Sequence, residues 1–171
     1  MKKRIGLIIT IIIIALVVGL LIWRFWPRPS SGLMPVDESS FTGVSAIAMV
    51  SGLEDGAFYS HTYRIDSTQQ QSNEPGNILE ILAASHYRPD FRNLLPWDLD
   101  TLSSGKNYDG RTVSLVFSTK DQETIVYIRF LSSSLISVQI GDQSGFRIYH
   151  PTNRNTIDTL VEYLQTVGVE Q

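Results

Sequence analysis

Cysteine is absent from the 171-residue chain. Disulfides, thiol nucleophiles, cysteine-held zinc, iron–sulfur clusters and a lipid-modified N-terminal cysteine are therefore excluded. Equally absent are G-x-x-x-x-G-K-[S/T], G-x-G-x-x-G, the G-x-S-x-G of serine hydrolases and the glycosylation pattern N-x-[S/T], so nucleotide binding, elbow-type serine catalysis and N-glycosylation have no local support. Histidine is scarce. His61, His86 and His150 are far apart and form no i, i+4 pair, and a set of His61, His150 and one aspartate lacks metal-ligand spacing. No metal and no cofactor is expected. Basic residues are also few beyond the N-terminal region: nine Lys/Arg stand against fifteen Asp/Glu over 41–171. A domain so acidic is a poor partner for a phosphate backbone, so no nucleic acid is expected.

What the chain has in quantity is apolar residues at its start. From Ile5 to Trp23 no side chain is charged. Such a run spans roughly 28 Å as a helix, close to the hydrocarbon core of about 30 Å. Lys2, Lys3 and Arg4 precede it, Arg24 and Arg28 follow it, and Trp23, Phe25 and Trp26 supply interfacial aromatics. The bulky Trp23-Arg24-Phe25-Trp26-Pro27 offers no small-residue cleavage site. The expectation is an uncleaved transmembrane signal-anchor over 5–26, with a basic cytoplasmic tail 1–4 and the rest outside the cytoplasm, in the cell membrane. The membrane lipid bilayer is then one partner, through residues 5–26. Residues 27–40 contain Pro27, Pro29 and Pro35 with four serines, which reads as a semi-extended linker reaching at most roughly 40 Å.

The remaining segment, 41–171, reads as one extracytoplasmic α+β domain. Strands are expected at 44–50 and 59–65, pairing around Gly52–Gly56, and then at 111–118, 124–131, 135–140 and 146–149 as an antiparallel meander. Asn77 with Glu80 resembles a capping box and places a helix over 78–87, halted before Pro89. Ile157, Leu160, Val161, Leu164 and Val167 mark a second amphipathic helix over 156–167, with Asn155 ahead of it and Gly168 after it. The fold class is thus an N-terminal transmembrane helix followed by a two-layer domain, a mainly antiparallel sheet of five to six strands with two amphipathic helices. The stretch 88–110 reads as irregular.

Chemistry is sparse. Trp97-Asp98-Leu-Asp100-Thr101 looks like the first motif of haloacid-dehalogenase-type phosphotransferases, in which one aspartate attacks phosphorus and a second works as acid/base. Pro96 breaks the run before it, and no parallel βαβ unit surrounds it, so a turn-capping role for Asp98 or Asp100 is the better reading. No catalytic residue is assigned. Tyr127, Arg129 and Leu131 share one face of a central strand, opposite Val126, Ile128 and Phe130. With Arg147 and Tyr149 on the last strand they form a candidate interaction surface, since Tyr and Arg recur at binding hot spots. The ordinary polar side of a sheet is the simpler explanation of the same pattern.

The order of anchor, Ser/Pro linker, strand, capped helix, meander and terminal helix, with Tyr63-Arg-Ile65 and Phe146-Arg-Ile-Tyr149, looks like the extracytoplasmic domains of single-pass proteins of Gram-positive bacteria that have no assigned activity. The resemblance spans about 60–171 and implies a style of fold and no activity. The expectation is a membrane-anchored binding or sensing module that meets a protein or peptide near the bilayer. Two alternatives belong to other classes. One is a membrane-anchored hydrolase with a site in 88–110, which requires Asp98, Asp100, His86 and Arg92 to share a pocket. The other is a single-pass subunit of a membrane complex.

Overall fold

The computed structural model describes residues 2–34, 37–67, 73–94, 110–119, 124–141 and 145–170, with side chains except those of residues 2–7, Glu38 and Ser67. The chain opens with helix α1, Lys2–Arg24. Strands β1 (Phe41–Glu54) and β2 (Ala57–Ser67), helix α2 (Glu74–Ala83) and a short strand β3 (Tyr87–Pro89) follow. Next come β4 (Arg111–Thr119), β5 (Ile125–Ser132), β6 (Leu135–Ile140) and β7 (Arg147–Pro151), then helix α3 (Thr156–Val167) and a two-residue strand β8 (Val169–Glu170). All pairings are antiparallel, in the order β3-β7-β6-β5-β4-β1-β2-β8.

The α+β class holds, but the five to six expected strands are eight. The two extra ones, β3 and β8, are too short to carry a two-residue period and extend the sheet at its two edges. The expected transmembrane helix is also corrected: among the described residues no helix is long and apolar enough to cross a membrane.

Alternation along the strands sends one side chain in two into the core. The register aligns Val44, Phe117, Val126 and Ile140 in one row across the sheet, and Ala46, Leu115, Ile128 and Val138 in the next. Phe117, Phe130, Ile128 and Leu115 are buried there beneath Ile78 and Leu82 of α2 and Ile157, Leu160 and Leu164 of α3. Each such side chain contributes roughly 1.5–3 kcal/mol by leaving water. The small Ala46 and Ala48 on β1 lie where both helices meet the sheet. Among the described residues, α2 and α3 both pack on this face.

Local chemistry explains the boundaries. Asp55 and Gly56 both take positive φ, 52° and 79°, the two left-handed positions of a tight hairpin turn. Helix α2 begins at Glu74, four residues earlier than Asn77 suggested, because Pro75 lies in the first turn, where its missing N–H is no loss. Asn77 is therefore inside the helix and donates to the Tyr163 hydroxyl at 3.1 Å. Helix α3 keeps its expected bounds, and Arg111 on β4 pairs with its Asp158.

The segment after α1 is built into the domain. Arg28 and Tyr87 exchange backbone hydrogen bonds of 2.9 and 2.7 Å, a one-residue extension of the sheet beyond β3. A short 3-10 turn at Ser30–Gly32 leads to Leu33 and Met34, both buried in the core. Tyr87 is wholly buried and donates its hydroxyl to the Leu82 carbonyl at 2.9 Å. Burial raises its phenol above the ordinary value, against a smaller opposing effect of Ser85. Where a leash was expected, the chain passes from α1 to the sheet edge within four residues.

Candidate functional site

The sheet face away from α2 and α3 is the open one. Register places Ile47, Ser114, Arg129, Ser137 and Ile148 across it in one row, with Val116, Tyr127 and Gln139 in the neighbouring row. Tyr127 remains 42% exposed and Arg129 is exposed. Ser114, Val116, Tyr127, Arg129, Ser137, Gln139 and Phe146 line a shallow concavity of about 370 Å³. Tyr127 and Arg129 thus share one surface, as the alternation on β5 implied.

Arg147 and Tyr149 do not join them. Tyr149 pairs with Ile136 and Arg147 with Val138, which puts both on the helix-covered side. Tyr149 is buried in the core, whereas Arg147 is exposed on that side. The sequence gives the parity of each strand but not the phase between two strands joined by a loop, and this phase separates the two pairs.

A second site lies at the β3 end of the open face. Its centre is Asp90, only 4% exposed. Asp90 Oδ1 accepts from the Arg92 backbone N–H at 2.7 Å and from Arg92 Nε at 3.0 Å, while Oδ2 accepts from Arg92 Nη2 at 2.7 Å. His150 closes the cluster, its Nε2 2.7 Å from Asp90 Oδ2 and its Nδ1 2.8 Å from the Ser134 carbonyl. Burial by itself would raise the Asp90 pKa, but the hydrogen bonds from Arg92 and His150 and the Arg92 charge outweigh it and hold the carboxyl at about 2. The same bonds raise the Arg92 guanidinium further above its ordinary value. Asn93, three residues on, replaces a missing strand partner: its amide donates to the Ile148 carbonyl and accepts from the Ile148 N–H, both at 2.7 Å.

Phe25, Arg88, Pro89, Asp90, Phe91, Arg92 and His150 surround a concavity of about 500 Å³. A carboxylate held this far down and committed to Arg92 and His150 is a weak proton acceptor near neutrality. His150 faces the carbonyl of Ser134 and not its hydroxyl, which is 3.3 Å from the Ser132 hydroxyl instead. The arrangement orients Arg92 and has no nucleophile–base pair. Two arginines against one aspartate leave the concavity electropositive.

The other expected residues fall elsewhere. Asp98 and Asp100 lie outside the described residues, as does most of 88–110. His86 is exposed, and Thr152 Oγ1 accepts from its backbone N–H at 3.2 Å, so it does not share the Arg92 concavity. His61 meets Glu170 at 2.6 Å on the sheet's far edge. Among the described residues no group of three His, Asp or Glu side chains could hold a metal ion. Asp90 was missed in the sequence because its partner His150 is 60 positions away; only the Asp-x-Arg turn pattern at 90–92 was local. No family model matches the chain, and no curated protein or solved structure matches it either.

Proposed function

We propose that the protein is a binding module held at a membrane surface, with the apolar α1 in contact with lipid and the open sheet face presented to a protein or peptide. The observation that carries this reading is the exposure of α1: its large apolar side chains from Ile8 to Trp23 are each 48–68% exposed, on every side of the helix. In water a helix surface that is apolar all round is unstable. Lipid is the solvent that fits it.

Tyr127 and Arg129 on the open face suit a polar or aromatic partner surface. Binding is favoured over hydrolysis because Asp90 and His150 hold Arg92 in place and, among the described residues, face no nucleophile.

Flotation with phosphatidylcholine vesicles tests the anchoring. The full chain is expected to float after alkaline wash, and Ile12→Asp with Leu16→Asp to remain in the dense fraction. A full chain that stays in the dense fraction overturns the reading. Replacing Tyr127 and Arg129 by alanine is expected to abolish crosslinking to a membrane partner, and unchanged crosslinking removes the open face from the account.

A further inference from the structure

We infer that the concavity at the junction of α1 and the sheet is a binding site for the anionic headgroup of a phospholipid. This rests on the placement of α1 in lipid and adds what the domain does at the surface it then meets.

Position comes first. Phe25, one residue beyond the end of α1, is a wall of the same concavity as Arg88, Arg92 and His150. With α1 in contact with lipid, this concavity lies at headgroup level. Around it Trp26, Phe91 and Leu94 are 64%, 65% and 57% exposed. Aromatic and aliphatic side chains left uncovered in this way match the interfacial layer, where an apolar body and a polar neighbourhood coexist. Arg28 folds back over the Trp23 ring at 5.7 Å, keeping one more cation at the same level.

Charge is the second argument. The domain carries an excess of acidic residues over 41–171, so an anionic leaflet repels most of it. The junction is opposite in sign. Arg88 and Arg92 line it, Arg28 pairs with the adjoining Tyr87, and Asp90 is occupied by Arg92 and His150. Arg88 is exposed, pairs across the sheet edge with His150, and has no ion-pair partner among the described residues.

The third argument is geometric. Asp90 takes Nε and Nη2 of Arg92, which fixes the plane of the guanidinium and, among the described residues, leaves Nη1 for a ligand. A phosphodiester presents acceptor oxygens only, and an arginine already held in place loses little freedom in meeting one. Phe25 and Phe91 then flank the glycerol end of the lipid.

Native mass spectrometry of the full chain in mild detergent, with phosphatidylglycerol, phosphatidylcholine or inorganic phosphate added, tests this. The expected result is retention of one phosphatidylglycerol over phosphatidylcholine by about fivefold, the factor that one basic side chain contributes at an anionic surface. Arg88→Gln is expected to remove that preference, with the Asp90 cluster left in place. Arg154→Gln, the same loss of charge at an exposed site away from the concavity, is expected to keep it. Equal retention of the two lipids, a preference that survives Arg88→Gln, or binding of inorganic phosphate without lipid preference each overturns the inference. A chain that floats with phosphatidylcholine vesicles yet shows no headgroup preference refutes this site alone; a chain that does not float refutes the anchoring on which it rests.

Discussion

Asp90 shows how one buried carboxylate organises its surroundings. Its pKa in the fold is about 2 against an ordinary 3.8. A depressed carboxylate contributes stability that is complete above its unfolded value and is lost as the pH falls through the folded one. The window therefore runs from about pH 4 down to about pH 2, and the contribution is on the order of 2 kcal/mol at neutral pH. Asp90→Asn is expected to lower stability by about that amount at pH 7 in urea unfolding of the full chain in micelles, with the gap to the parent narrowing below pH 4. A gap independent of pH down to 3 would mean that the loss comes from packing and not from charge. None of this was legible in the sequence. Asp90 follows a proline and precedes Phe91 in a stretch without periodicity, and only folding brings His150 to it.

At the scale of elements, legibility followed length and period. Helix α3 was readable because five apolar residues repeat at helical spacing over 157–167, and four of them, Ile157, Leu160, Val161 and Leu164, are buried. Helix α2 was displaced because Asn77 with Glu80 imitates a capping box, whereas the helix starts at Glu74 with Pro75 in its first turn. Strands β3 and β8 were invisible because three and two residues carry no pattern. The long hairpin of β1 and β2 was visible only in its middle. Beyond it, the approach of Gly110 to β1 fixes where β4 starts. Gly110 has φ of 84°, its carbonyl accepts from the Ser51 N–H at 2.7 Å, and an added Cβ would overlap the Ser51 carbonyl oxygen. Gly110→Ala is expected to cost on the order of 2 kcal/mol, from the left-handed backbone together with that overlap. Thermal unfolding measures it; a change below the scatter between repeats would show that the 110–111 junction relaxes freely.

The whole molecule is a one-sided sheet tied closely to an apolar helix. The sequence made both parts visible, but it suggested a leash between them because prolines and serines usually mean an extended, solvated segment. Pairing of Arg28 with Tyr87 and burial of Leu33 and Met34 remove most of that slack. Close attachment keeps the Arg88–Arg92 concavity and the exposed Trp26 next to the end of α1. The most direct test is the depth of Trp26 in a bilayer. In the full chain carrying Trp23→Phe and Trp97→Phe, Trp26 fluorescence is expected to be quenched most by lipids brominated near the headgroup and progressively less by deeper bromines. Equal, negligible quenching at every depth would place Trp26 in water and contradict the account.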